Sequence, residues 1–151
     1  MNGNGGIILT SGVTAQALTT SPAKMTGFTA NVAPAADDLS VVPAYASNKL
    51  TLEAGGTYLV SIYITGSAAS ATKVTAEARK NLVGSSPALV TGMKAAVDFA
   101  TGAACNDIGI TGIVTAAYGE VDTELCVYLT AGGSVNFTPE NASIVAVRID
   151  N

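Results

Sequence analysis

Few residues in this 151-residue chain have the chemistry to act on a substrate. There is no histidine, which removes Ser-His-Asp and Cys-His nucleophilic catalysis and every zinc site that uses imidazole. The two cysteines, Cys105 and Cys126, lack the third and fourth thiol of a structural zinc centre and are too few for a disulfide framework. One bridge in an oxidising compartment is an open alternative; two small buried thiols is the commoner behaviour of such residues. Asp37-Asp38 is the only adjacent acid pair. General acid–base work would require a pocket and a shifted pKa, whereas a solvated turn requires neither and suits aspartate. Glu120, Asp122 and Glu124 alternate in EVDTE. Clustered carboxylates can hold Ca²⁺, but the spacing is not that of an EF-hand loop, and a hydrated strand start accounts for them without a ligand. Gly3-Asn4-Gly5-Gly6 is no phosphate cradle, and no P-loop or GxGxxG motif occurs. Asn141-Ala142-Ser143 fits a glycosylation sequon, which matters only in a secreted chain. No catalytic, cofactor-binding or metal-binding residue is assigned; the expectation is a protein that is not an enzyme and needs no cofactor.

The elements that carry these residues are unusual for their lack of charge. Hydrophobic residues make up 48% and charged residues 12%, against about 25% charged in an average globular chain. Seven basic and eleven acidic side chains are few for covering a free monomer, which favours an assembled protein with some surface hidden by partners. A monomer with a Ser/Thr/Gly/Ala skin is the bland alternative. The net charge is −4, and the largest basic cluster is the pair Arg79-Lys80, so no footprint for DNA or RNA is present. The start, MNGNGGIILTSG, lacks the basic region and apolar core of a Sec signal. No apolar stretch approaches the roughly 18 residues of a membrane helix, so neither a nucleic acid nor a membrane is expected as a partner.

Residues 1–12 read as a flexible N-terminal arm and residues 13–151 as one β-sandwich domain of ordinary size. Ile7 to Thr10 is a strand or arm, and Lys24 to Val32 is a strand between turn-rich flanks. From Asn48 the pattern sharpens. Lys49 to Glu53 is a strand, Ala54-Gly55-Gly56 a turn, and Thr57 to Thr65 a second strand. Tyr58, Val60, Ile62 and Ile64 lie on one face of it; Leu59, Ser61 and Tyr63 lie on the other. Thr72 to Asn81 alternates Val74, Ala76 and Ala78 with Thr75, Glu77 and Arg79. Ser86 to Thr101 has plausible helical length, but Gly92 weakens a helix and the apolar spacing suits neither period cleanly; it reads as a strand pair with a loop. Ile108 to Ala117 sets Ile108, Ile110, Gly112 and Val114 against Gly109, Thr111 and Ile113. Glu124 to Thr130 turns Leu125, Val127 and Leu129 inward and Cys126 and Tyr128 outward. Ala131-Gly132-Gly133 is a turn, and Ala142 to Asp150 is a terminal strand. At least six short strands with glycine turns and no convincing helix predict an all-β, antiparallel two-sheet sandwich.

Three pieces carry a resemblance to a known family. LTLEAGGTYLVS, Leu50 to Ser61, resembles the short strand, "G-x-Y" and aromatic/aliphatic strand at the centre of tumour-necrosis-factor and complement globular-head jelly rolls. LCVYLTAGGSV, Leu125 to Val135, resembles their penultimate strand followed by "L-x-A-G-D", with Gly133 where the family often has aspartate. Ala142 to Ile149 resembles the closing strand. Order and spacing agree over about residues 45–151; the N-terminal third matches little. The resemblance implies a jelly roll and a homotrimer, with the Thr57–Thr65 strand near the three-fold axis. Leu59 and Tyr63 are the expected interface residues, tyrosine suiting an interface with one polar end; Tyr63 packing under a loop is the alternative.

By analogy with small jelly-roll trimers that cap capsid lattice points, the expected function is a capsid decoration (cement) protein on a bacteriophage head. Such a protein would be made in the host cytoplasm and placed on the virion exterior, with the major capsid protein as partner and Ile7, Ile8 and Leu9 as a capsid-contacting arm. A disordered tail is the alternative for that arm. The competing function is a receptor- or glycan-binding trimeric head, such as a tail-fibre tip or lectin-like head; 5% aromatics and no tryptophan count mildly against it.

Overall fold

In a computed structural model, the structure describes residues 5–9, 15–32, 45–46, 48–82, 86–101, 106–116 and 123–150. They form twelve strands: β1 (Gly5–Leu9), β2 (Gln16–Leu18), β3 (Ala23–Lys24), β4 (Phe28–Val32), β5 (Tyr45–Ala46), β6 (Lys49–Leu52), β7 (Thr57–Ala68), β8 (Thr72–Leu82), β9 (Ala88–Phe99), β10 (Asn106–Thr115), β11 (Thr123–Ala131) and β12 (Val135–Arg148). One sheet has the order β10-β7-β12-β1-β4, with β2 also on β12; the other has the order β5-β6-β11-β8-β9, with β3 also on β11. Every pairing between named strands is antiparallel. Most neighbours within each sheet are distant in sequence, as in a jelly roll; the exceptions are the consecutive pairs β5-β6 and β8-β9.

The core follows from alternation. Tyr58, Val60, Ile62 and Ile64 of β7, Ile108, Ile110 and Val114 of β10, and Ala142, Ile144 and Ala146 of β12 are buried. They belong to one cluster with Leu50, Leu52, Val74, Ala76, Ala78, Leu125, Val127 and Leu129 of the opposite sheet. Each buried large aliphatic side chain contributes about 1.5–3 kcal/mol relative to exposure. Phe99 and Phe137 meet edge to face, with centroids 5.4 Å apart and planes at 87°, the geometry their ring quadrupoles favour. Phe137 also requires a glycine at 66: a Cβ there would lie 2.5 Å from its Cζ and 2.6 Å from the Thr138 carbonyl oxygen.

Four departures from the sequence reading have physical causes. Ser86 to Thr101 is not a strand pair with a loop. Ala88–Phe99 is one twelve-residue strand whose register against β8 shifts between Glu77 and Arg79, from Lys94 to Leu89. Gly92, at φ +79°, absorbs that bulge, which swings Met93 into the core against Gly112. Lys24 to Val32 is not one strand either. Gly27, at φ +93°, lets the chain leave β3 in one sheet and enter β4 in the other. Val135 and Arg148 bound a single fourteen-residue strand, bulged between Pro139 and Asn141 because proline has no N–H for the ladder; the Asn141 amide donates instead to Thr65 Oγ1 at 3.1 Å. Finally, Gly5–Leu9 is not a free arm. It is a strand paired on both edges, with Ala142–Ala146 of β12 and with β4.

Candidate self-association surface

The registers of β10, β7 and β12 build one outward face row by row. Ile113 pairs with Leu59, and Leu59 with Val147. Thr111 pairs with Ser61, and Ser61 with Val145. Gly109 pairs with Tyr63, and Tyr63 with Ser143. These nine positions alternate with the core residues of the same strands, so all lie on the side away from the opposite sheet. None is charged. Ile113 is 60% exposed, Tyr63 44% and Leu59 42%, and Val145 and Val147 are half-buried. A contiguous uncharged patch with three large exposed side chains is the kind of surface that proteins cover with a partner.

The outer face of the other sheet is built oppositely. Glu77 is buried and pairs with both Arg79 and Lys94. Arg79 stacks over Tyr128, 4.6 Å from the ring centroid, a cation–π contact. Glu124 takes hydrogen bonds from Lys49 Nζ and, at 2.9 Å, from Asn81 Nδ2. Burial alone would raise the Glu124 carboxyl; these two donors outweigh it and hold the pKa below the usual carboxylate range. This face satisfies its own charges. At the end of the sandwich, Arg148 Nη1 donates to Glu53 Oε2 at 2.8 Å and its Nε to Asp150 Oδ1 at 2.9 Å. The Glu53 amide donates to the Tyr58 hydroxyl at 3.1 Å, and desolvation pushes the Tyr58 phenol up. The pair of strands at the turn is thereby tied to the closing strand.

The expected site residues divide accordingly. Leu59 and Tyr63 share the uncharged face, two rows apart on β7, and Tyr63 lies open rather than under a loop. Ile7, Ile8 and Leu9 fall in β1, whose backbone is already bonded on both edges, so strand addition to a foreign edge would first require its removal from the sheet. Cys126, placed by alternation on the outward side, is nevertheless fully buried and free; its Sγ lies 3.5 Å from the Arg79 carbonyl oxygen, and burial raises its pKa. Asp37, Asp38, Cys105, Glu120 and Asp122 lie outside the described residues, as do 1–4 and 10–14 of the expected arm. Among the described residues no cluster of three or more His, Cys, Asp or Glu could hold a metal ion, and no helix is long and apolar enough to cross a membrane. Sequence reasoning missed Ile113, the most exposed of the three large side chains. Its alternation with Ile110 and Val114 put it on the outer side, but only the pairing of β10 with β7 sets it beside Leu59.

No protein-family model matches the chain, and no curated protein matches it by sequence. Solved structures match it by shape. Eiger TNF from S. frugiperda superposes with a TM-score of 0.67 at 14% identity, covering 97% of this chain and 92% of that one. The globular domain of zebrafish complement 1qA gives 0.56 at 12% identity, covering 97% and 98%. Murine APRIL at pH 5.0 gives 0.53 at 9% identity, covering 95% and 99%. Likeness at this identity speaks for the fold alone. With two antiparallel sheets in jelly-roll order and these neighbours over nearly its whole length, the chain has the jelly-roll fold shared by tumour necrosis factors and complement globular heads.

Proposed function

We propose that the chain is a non-enzymatic structural head that works as a homotrimer and serves as a decoration protein on the outside of a bacteriophage capsid. The observation that carries the self-association is the uncharged face with Leu59, Tyr63 and Ile113 at its surface, on a fold whose resemblance already implied a trimer. Of the candidates that fall among the described residues, Glu124 is held by Lys49 and Asn81, and Cys126 is inside. The decoration role rests on the low charge, the sandwich architecture and the analogy with trimers on capsid lattices. A trimer that spans several capsid subunits binds the assembled lattice and not the free subunit. Mass action then stabilises the shell, and three copies on one body add avidity.

The test mixes purified protein with empty phage heads. Co-sedimentation, with heads that withstand higher temperature, is the expected result. Absence of head binding together with selective binding on a glycan array would overturn the decoration role in favour of a glycan-binding head.

A further inference from the structure

Four glycines lie inside strands β7 to β12: Gly66, Gly92, Gly109 and Gly112. Glycine within a strand is less favourable than alanine because more backbone freedom is lost, so each calls for a reason. Three have one inside the subunit. A Cβ on Gly66 would strike Phe137 and the Thr138 carbonyl, one on Gly112 would lie 2.7 Å from Met93 Cγ, and Gly92 sits at φ +79°. Gly109 has none. Its φ is not in the left-handed region, and a Cβ built there meets nothing within 4 Å. It lies in the middle row of β10, opposite Tyr63, on the outward face described above. Even the Tyr63 ring of its own subunit does not cover it.

A strand glycine often marks a bulge, a bend or a place where another group approaches the backbone closely; β10 pairs with β7 in unbroken register through Gly109, which leaves the close approach. We infer that Gly109 is a notch in the self-association face, and that its occupant is Tyr63 of the next copy of this chain. This rests on the homotrimer reading and adds to it the contact that fixes how copies seat. The assignment of Tyr63 follows from its size, its 44% exposure and its position. It stands between Gly109 and Ser143, small neighbours on both sides. In a closed ring of three each interface is heterologous, one patch of a copy meeting a different patch of the next. A projecting ring beside a bare backbone on every copy is then self-complementary: each copy offers its ring to one neighbour and its notch to the other.

The experiment measures association by sedimentation equilibrium, and subunit stability by unfolding at dilutions where the chain is monomeric. Gly109→Val fills the notch. In the isolated subunit a β-branched residue opposite tyrosine is a favourable cross-strand pair with room for it, so the variant is expected to unfold at or above the unsubstituted midpoint. Association is expected to weaken about ten- to hundredfold per site, the effect of overpacking a fitted interface. Tyr63→Ala in the Gly109→Val background removes the ring and is expected to restore at least part of the lost association. Gly109→Ala, a smaller intrusion, is expected to give the same sign with a smaller effect, and it supplies the result should the valine variant fold poorly. Unchanged association of both Gly109 variants would overturn the inference, as would failure of Tyr63→Ala to relieve Gly109→Val. If the unsubstituted chain is monomeric, the homotrimer reading itself falls. If that chain is trimeric and the Gly109 variants match it, only the notch falls.

Discussion

Ile113 is the sharpest lever on the proposed interface. It is 60% exposed in the subunit, and full burial of such a side chain is worth about 1.5–3 kcal/mol. Covering the remaining surface in a trimer therefore contributes about 1–2 kcal/mol per copy. Ile113→Ala keeps the Cβ and forfeits roughly 1 kcal/mol at each of three sites, or about a hundredfold in the overall association constant. Ile113→Asp adds the desolvation of three carboxylates brought together, several kcal/mol per ion, and should leave only single subunits at micromolar concentration. The isolated subunit should barely notice, because exposed substitutions away from special features shift stability within about 0.5 kcal/mol. Light scattering over a dilution series reads the association, and concentration-independent unfolding reads the subunit. Lys73→Ala is the control, its side chain 61% exposed on the other sheet. An Ile113→Asp chain with the mass and dilution behaviour of the unsubstituted chain would refute the reasoning.

Other expectations follow from the same structure. Gly66→Ala should destabilise the fold by about 1–3 kcal/mol, because the new methyl meets backbone as well as the Phe137 ring; a denaturation midpoint indistinguishable from the unsubstituted chain would contradict it. Glu124 has a folded pKa below its ordinary 4.5, so its contribution is present above that value and is lost as pH falls through the depressed one. Glu124→Gln should accordingly flatten stability against pH in the acid limb below pH 4.5, measured by urea unfolding at several pH values; an unchanged acid limb would count against the pairing with Lys49 and Asn81. Cys126, buried with a raised pKa, should resist thiol reagents in the native state of a Cys105→Ser variant and react only on unfolding; fast native labelling would show that the site opens.

Where the chain alternates strictly, the sequence was enough to read the strands and to separate their faces. Tyr58, Val60, Ile62 and Ile64 share one face and Leu59 and Tyr63 the other because a strand has period two, but both faces of this strand carry apolar residues, and which one is inside is set by the packing of the two sheets. Legibility failed where backbone geometry breaks the period. Around Gly92 three residues of register slip turned one strand into an apparent pair, and at Gly27 a single positive φ sent the chain between sheets. Cys126 is buried although it points away from the core, because the ion-paired face around it is itself closed over, a property of neighbours rather than of local pattern. The uncharged face was half legible. Leu59 and Tyr63 came from alternation, whereas Ile113 and Gly109 join them only through a strand pairing about fifty residues away in sequence, which no local pattern encodes.

The claim on which the rest depends is that sister copies cover the Leu59–Tyr63–Ile113 face. Multi-angle light scattering of the unsubstituted chain at micromolar concentration tests it most directly. Three copies of the 15.0 kDa chain in one particle is the predicted result, and a particle of a single copy at every concentration would contradict it.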